Sequence, residues 1–121
     1  MKLAVGIFSI IAATFWILVP ATRAAAQPTE AMRFAIMRNG EQIGTHAIEI
    51  NRKGPETDVH ITTDLVVNVL FITAYRLQHD ATERWMNGQL VALDSTTDNN
   101  GVHHTVSAVR SAAGLKIQAD G

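Results

Sequence analysis

The sequence predicts an all-β protein: an antiparallel meander of short strands, preceded by a helical signal peptide. Three observations support this fold class. They are an uninterrupted apolar segment near the amino terminus, an alternation of apolar and polar residues after it, and Asn-Gly pairs between the alternating segments. Alternation with a period of two is typical of a half-buried strand, and Asn-Gly favours a two-residue hairpin turn. The chain length of 121 residues is the size of one domain.

The first element has the organisation of a cleavable secretory signal peptide and covers residues 1–26. Lys2 provides a positive start, residues 3–19 are apolar and uncharged, and residues 24–26 are alanines of the kind found before a cleavage site. The alternative is an uncleaved membrane anchor, because the apolar run is at the lower limit for crossing a bilayer. We expect cleavage after the alanines. This predicts a periplasmic or secreted protein whose β-sheet domain covers residues 27–121.

The composition of the remaining chain excludes several classes of protein. There is no cysteine, so the domain has neither a disulfide framework nor a thiol that could carry a lipid. Apart from Lys2 and Arg23, the chain has eight Lys and Arg against 11 Asp and Glu, a net charge of −3. A nucleic-acid surface needs clustered basic residues, so we expect no nucleic-acid partner.

Turn signals divide the domain into seven segments of strand length. Asn39-Gly40, Asn87-Gly88 and Asn100-Gly101 each predict a hairpin turn, with a loop of either two or four residues at Asn100-Gly101. Residues 52–56 predict a longer turn, and Ala113-Gly114 predicts another. Successive strands joined in this way form a meander. The predicted strands cover residues 32–38, 41–51, 57–69, 73–86, 89–97, 102–111 and 115–119.

Two sets of residues carry a family resemblance: the pattern Phe34-x4-Asn39-Gly40-x2-Ile43-Gly44, and the set Glu83, Trp85, Gly88, Leu90 and Gly101. Over most of residues 34–121 the chain resembles uncharacterised exported β-sheet families described as domains of unknown function. Such families are similar in broad architecture to the half-barrels of periplasmic lipoprotein carriers. The resemblance implies an open, curved sheet or half-barrel without catalytic residues. Members usually continue with further strands, which implies a domain truncated at residue 121.

One group of ionisable and aromatic residues is a candidate ligand site. With a two-residue loop at Asn87-Gly88, and no irregularity in the strands, the predicted hairpin register places the whole group on one face, with Asp94 nearer to His79 than Glu83 is. The alternative is a wetted face whose charges contact only water. Neither face is apolar throughout in this register, so we expect a bulge to shift one pairing. The speculative ligand-binding residues are His79, Glu83, Trp85, Asp94 and His103.

Catalytic and metal sites are not indicated by the sequence. His79 and Glu83 are four residues apart on one strand, about 13 Å along it, which is too far for one ion. The adjacent His103 and His104 point to opposite faces of a strand. No nucleophile elbow or phosphate-binding loop is present. We therefore expect no enzymatic activity, no cofactor and no metal.

Two classes of function remain open. The first is a non-catalytic binder or carrier of an apolar small molecule, with Trp85 either as a ligand platform or as a packed core residue. The second is an envelope structural or assembly protein that pairs with a partner through a strand edge. The first predicts a concave apolar surface and the second an unprotected edge strand. In both, contact with the membrane is expected only through the uncleaved leader.

Overall fold

The computed structural model describes residues 29–120, which form a single antiparallel sheet of seven strands. The predicted all-β meander in an open sheet is confirmed, since the spatial order of the strands equals their order in the chain. The predicted signal peptide lies outside the described residues. The strands are β1 (Glu30–Arg38), β2 (Glu41–Lys53), β3 (Glu56–Val69), β4 (Ile72–Met86), β5 (Gln89–Asn99), β6 (Val102–Ser111) and β7 (Gly114–Ala119).

The described residues contain strands and turns only. Within residues 29–120 there is accordingly no helix of the length and apolar character needed to span a membrane.

The three Asn-Gly pairs form the predicted hairpin turns, each with a two-residue loop. Asn87 and Gly88 have φ angles of 51° and 76°, and Asn39-Gly40 and Asn100-Gly101 are likewise positive at both residues. Positive φ at both central positions matches a type I′ turn, whose twist fits that of the flanking strands. The longer turn predicted at residues 52–56 is wrong, because Lys53 pairs directly with Glu56. Gly54, with a φ of 60°, allows the chain to reverse within two residues.

A further turn, between β3 and β4, has no turn signal in the sequence. Leu70 and Phe71 form it with φ angles of 46° and 68°. Positive φ is uncommon for residues with a bulky side chain because the Cβ crowds the backbone. The predicted strands 57–69 and 73–86 place the break correctly, whereas the two-residue length of the turn has no local signal in the sequence.

Cross-strand pairing assigns the strand residues to two faces, because directly opposed residues of antiparallel strands project to the same side. One face is predominantly apolar and is called here the apolar face. Its apolar side chains include Met32, Phe34, Ile36, Ile48, Ile50, Val59, Ile61, Leu65, Leu77, Ala81, Trp85, Leu93, Val106, Ala108 and Ile117. The opposite side is called the polar face and includes Glu49, Asp58, His60, Asp64, Gln78, Asp80, Arg84, Asp94, Asp98 and His103.

Three irregularities interrupt the pairing, and they confirm the expectation of a bulge. Ile43 of β2, Ala74 of β4 and Val91 of β5 have no direct partner across these shifts. A bulge adds one residue to one strand, so every residue beyond it changes face relative to an uninterrupted ladder. The bulge at Val91 lies close to the candidate site.

The sheet is a single layer within the described residues, and it has almost no enclosed core. Only Ala81 and Ala108, each 4% exposed, are buried there. Along β4 the residues of the apolar face from Tyr75 to Trp85 are half-buried or buried, whereas the intervening residues are exposed. The apolar side chains shield one another laterally, and no described element packs over them.

Gly44 marks a close approach between β2 and β3. A Cβ at this position would lie 2.2 Å from the carbonyl oxygen of Asp64 and 2.8 Å from the Cα of Leu65. Only glycine permits this spacing without a shift of the backbone. The approach lies next to the bulge at Ile43, which gives a structural reason for the Ile43-Gly44 pair in the sequence pattern.

Candidate ligand-binding face

The structure divides the five predicted site residues between the two faces of the sheet. His79, Glu83 and Trp85 lie on the apolar face, whereas Asp94 and His103 lie on the polar face. The prediction that all five share one face is therefore wrong for Asp94 and His103. The expected approach of Asp94 to His79 does not occur, because their side chains project in opposite directions.

The bulge at Val91 explains the error. Trp85 opposes Leu90 as predicted, but Glu83 opposes Leu93 instead of Ala92, and Asp94 opposes Thr82. The next hairpin has the two-residue loop, one of the two lengths left open, with Asp98 opposite His103. One additional residue in β5 thus moves both Asp94 and His103 to the other side of the sheet. The same shift brings Leu93, Val106 and Ala108 onto the side of Trp85, which extends the apolar face across β5 and β6.

A row of histidine and threonine side chains crosses the apolar face at right angles to the strands. It runs from β2 to β6 through direct cross-strand pairs, and Phe34 on β1 begins it with its ring 6.2 Å from that of His46. Histidine and threonine alternate from strand to strand, so each histidine lies opposite at least one threonine on a neighbouring strand. The members of this histidine–threonine row are His46, Thr63, His79, Thr97 and His104.

Hydrogen bonds within the row satisfy part of its polarity. His46 Nδ1 and Thr63 Oγ1 lie 2.8 Å apart, and His79 Nδ1 lies at the same distance from Thr97 Oγ1. Polar groups that lose contact with water need such partners. An unpaired polar group in an apolar environment lowers stability by roughly 1 to 3 kcal/mol. The row is therefore compatible with an apolar cover.

Apolar side chains lie on both sides of the row. Towards the Asn87–Gly88 end they form two successive cross-strand rows, and towards the opposite end they form one shorter row. The two rows are Met32, Ile48, Ile61, Ala81 and Val106, and Ile50, Val59, Leu93, Ala108 and Ile117; the shorter row is Ile36, Leu65, Leu77 and Val102. Each of these rows also contains one polar residue on β4 or β5, namely Ser95, Glu83 and Asn99 in turn. The arrangement is a broad, predominantly apolar surface crossed by one polar stripe and interrupted by these three side chains.

Trp85 lies near the Asn87–Gly88 end of this surface and is half-buried. It opposes Thr57 on β3 and Leu90 on β5. Its indole Nε1 donates a hydrogen bond to Glu83 Oε2 at 2.8 Å. This bond satisfies the only polar atom of the indole. The faces of the ring are therefore available to pack against an apolar ligand.

The polar face has a different character, because its charged groups are exposed and paired with one another. His60 Nε2 lies 2.8 Å from Asp80 Oδ2, and Arg84 Nε lies 3.4 Å from Asp58 Oδ1. A shallow depression that Asp94 lines also contains His60, Asp58 and Arg84. Exposed pairs of this kind contribute little to stability and are characteristic of a solvated face.

The three histidines of the row do not converge. They lie on β2, β4 and β6, so consecutive ones are about 10 Å apart across the sheet. His103 and His104 project to opposite faces, as predicted. Among residues 29–120, no group of three or more histidine and acidic side chains is arranged to hold a metal ion.

Both outer strands of the described sheet have one edge without a partner strand. β1 has nine residues, of which all but Ile36 are exposed, and β7 has six residues. An unpaired edge presents backbone donors and acceptors that a further strand can bind.

The family comparison confirms the predicted resemblance to a domain of unknown function. A family model described as a domain of unknown function (DUF6134) matches residues 34–121. No curated protein and no solved structure matches the chain. The match begins at Phe34 on β1 and includes the remaining six strands together with Trp85 and Glu83. The chain therefore belongs to the family of domains of unknown function described as DUF6134.

Proposed function

We propose that the protein is a non-catalytic binder or carrier of an apolar ligand, such as an acyl chain, that lies against the apolar face. One observation carries this proposal. Apolar side chains from all seven strands lie on one face, interrupted by the histidine–threonine row and by a few single polar residues, and no described residue covers this face. A sheet with one apolar face is normally stabilised by a second layer, because burial of apolar surface contributes roughly 25 cal/mol per Å².

The polar groups of this face support a cover that is apolar rather than aqueous. His46, His79 and the Trp85 indole are each hydrogen-bonded to a neighbour on the same face. An apolar molecule could therefore displace water from these side chains without leaving those atoms unpaired. Seven strands at a spacing of about 4.8 Å make the face roughly 29 Å wide, which suits an extended chain.

The proposal includes export. Residues 1–26 would direct the chain to the periplasm or outside the cell, and removal of this segment would leave a domain without a leader. Apolar molecules that cross an aqueous compartment need a protein to shield them, and an exported binder would supply that shield.

An apolar-face variant and a matched polar-face variant test the proposal. Ile61→Thr with Val106→Thr keeps β-branched residues on β3 and β6 but places hydroxyls on the apolar face. The control, Thr62→Val with Thr105→Val, makes the reverse change at adjacent positions on the polar face. Binding of the fluorescent fatty acid cis-parinaric acid to the full chain should weaken about tenfold in the first variant and remain unchanged in the second.

Equal affinity of the two variants would contradict binding at the apolar face.

Replacement of Trp85 gives an independent readout. If Trp85 is a platform, Trp85→Ala should weaken parinaric acid binding more than it lowers the free energy of unfolding. If Trp85 only packs against its neighbours, the stability loss should dominate, as for aromatic truncations in cores, where it reaches about 3 to 5 kcal/mol.

A second candidate function is strand-edge pairing with an envelope partner, and the exposed outer edge of β1 favours it. Self-association that disappears when Ala35 is replaced by proline would support this function, since proline removes a donor from the edge. Ala113→Pro, in the turn before β7, is the matched control because it leaves the β1 edge unchanged. Both variants should still bind parinaric acid. This result would show that edge pairing and ligand binding are separate.

A further inference from the structure

The β3–β4 hairpin extends beyond the paired parts of both neighbouring strands. Pairing with β2 ends at Leu65, and pairing with β5 ends at Leu77. The strand pairs of the intervening residues 66–76 are formed only with one another, and we call these residues the β3–β4 finger. At its base the Asn100 N–H donates to the Arg76 carbonyl, and the end of the β1–β2 hairpin shares a shallow depression with residues 66–69. At about 3.3 Å per residue, the last pair of the finger lies roughly 13 Å beyond Leu65.

The end of this finger is the most exposed apolar group of the described chain. Phe71 is fully exposed, Leu70 is 84% exposed and Ile72 is 70% exposed, with Val69 beside them at 49%. Residues 66–75 contain no charged side chain. Contiguous exposed apolar residues of this kind mark contact sites for another molecule.

The turn places these apolar residues in an unfavourable backbone conformation. Leu70 and Phe71 both have positive φ, as do the residues of the three Asn-Gly turns of the same sheet. Asn-Gly accepts this conformation readily, whereas Leu-Phe is disfavoured at both residues. Phe71 is fully exposed, so packing within the described chain does not compensate. The folded sheet gains nothing from these two side chains.

From the end of the finger towards the sheet, polar side chains appear mainly on β4, since Val67 and Val66 of β3 are the partners of Tyr75 and Arg76. Below the Val69–Ile72 pair, Thr73 Oγ1 donates to Asn68 Oδ1 at 3.1 Å. Tyr75 and then Arg76 follow on β4, the latter about 10 Å from the end. This order of apolar tip, polar pair, tyrosine and arginine matches the polarity gradient of a bilayer interface, into which peripheral elements insert about 5 to 10 Å.

We propose that the β3–β4 finger inserts its tip, Val69 to Ile72, into the interfacial region of a lipid bilayer. A lipid surface fits better than a protein groove because Leu70 and Phe71 are exposed on all sides, and a medium that surrounds the tip covers both. The absence of charge at the tip and the acidic balance of the domain favour a zwitterionic surface over an anionic one. Insertion does not depend on ligand binding at the apolar face.

A single reporter on the full chain tests this insertion, because the chain contains no cysteine. Phe71→Cys, labelled with the environment-sensitive fluorophore nitrobenzoxadiazole, is mixed with phosphatidylcholine vesicles. Asn87→Cys, at the opposite end of the sheet, carries the same label as a matched control. We expect a blue shift and quenching by spin-labelled lipid at position 71 and neither at position 87. The apolar residues 3–19 are present in both proteins and cannot produce the difference.

A second variant separates insertion from folding. Leu70→Asn with Phe71→Gly converts the turn to the sequence of the other three and should raise the melting temperature. The same fluorophore is then attached at Ile72→Cys in both proteins. With vesicles, its emission should shift to the blue when the turn is Leu70-Phe71 and should stay at its value in water when the turn is Asn-Gly. Thr73 and the rest of the finger are unchanged in both proteins.

Three outcomes would overturn the proposal. The first is a label at position 71 that behaves in vesicles as the label at position 87 does. The second is a shift that follows protein concentration without vesicles, which would assign the tip to a second copy of the chain. The third is a shift that requires anionic lipid and disappears with salt, which would assign the contact to charged residues. Parinaric acid binding can persist or fail in any of these cases, so the two proposals are tested separately.

Discussion

The indole of Trp85 donates a hydrogen bond to the carboxylate of Glu83, and the two residues are two positions apart on β4 with a distance of 2.8 Å between Nε1 and Oε2. Residues two apart on a strand project to the same face, so the bond holds the ring beside the carboxylate on the apolar face. It gives a half-buried charge a donor and gives the indole its acceptor at the same time.

A double-mutant cycle with Trp85→Phe and Glu83→Leu should therefore give a coupling energy of about 1 kcal/mol in the free energy of unfolding. Phenylalanine keeps an aromatic ring but lacks the donor, and leucine removes the acceptor. Urea unfolding of the four proteins provides the measurement. The pair Gln78 and Asp64, which is hydrogen-bonded on the exposed polar face, is the matched control and should couple less. Additive effects of the Trp85 and Glu83 substitutions would contradict the bond.

Gly88→Val should destabilise the domain by more than about 1 kcal/mol, because Gly88 has a φ of 76° and a β-branched residue resists that conformation. A Cβ at Gly88 would have no atom within 4 Å, so the effect is conformational and not steric. Gly88→Asn should therefore cost much less, since asparagine tolerates positive φ. Thermal unfolding of the two variants checks the difference, and equal melting temperatures would show that backbone conformation is not the cause.

Gly44→Ala should destabilise the domain by about 1 to 3 kcal/mol, as overpacking typically does. Here the reason is steric, because the added Cβ would overlap the backbone of Asp64 and Leu65 on β3. Thr45→Ala, one residue away and on the other face, serves as the control and should have a smaller effect. Hydrogen exchange at the amides of β2 and β3 should rise in the Gly44→Ala variant. Unchanged exchange would contradict the prediction, because it would mean that the two strands accommodate the added Cβ without losing hydrogen bonds.

Asp120 should titrate below its ordinary pKa of 3.8, because the backbone N–H and the hydroxyl of Thr105 donate to its carboxylate. A lowered pKa in the folded state favours the folded state at pH values above the ordinary pKa, and this contribution disappears as pH falls through the lowered value. NMR titration of the carboxyl carbon measures the shift. Thr105→Val removes only the hydroxyl, so the pKa should rise partway; a value of 3.8 or more in the parent protein would contradict the contact.

Export should remove residues 1–26 and leave Gln27 as the new amino terminus, because alanines occupy the small-residue positions before the cleavage site. Amino-terminal sequencing of the exported protein is the measurement. Replacing Ala24 and Ala26 with leucine should block cleavage, while replacing Ala21 should not. Recovery of the parent protein with residues 3–19 intact in a membrane fraction would contradict cleavage.

The turns and strands were predictable where a local signal decides the structure. Asn39-Gly40, Asn87-Gly88 and Asn100-Gly101 turn as expected, since asparagine and glycine determine positive φ by themselves. The break between β3 and β4 was predicted at residues 70–72, but the two-residue turn of Leu70 and Phe71 was not, because these residues carry no such preference. Its position follows from the pairing of the long strands on either side, which the sequence pattern does not show.

The candidate site was predictable only as far as the first irregularity in its register. Trp85, Glu83 and His79 share a face because they lie on one strand, which the period of two is sufficient to predict. Asp94 and His103 were assigned to the wrong face because Val91 adds one residue to β5. A bulge depends on packing and twist rather than on a residue type, so a valine gives no local sign of it.

The strand order of the sheet has a consequence for how the chain reaches this structure. Every strand pairs only with its neighbours in sequence, so each pairing closes a short loop and the average separation of contacting residues is low for a β protein. Hairpins can form independently and join in any order, and the entropy of loop closure rises little as the sheet grows. Most β proteins fold slowly because distant segments must meet before they are stabilised. This sheet avoids that search, and fraying of β1 or β7 would break a single ladder while the other five remain intact.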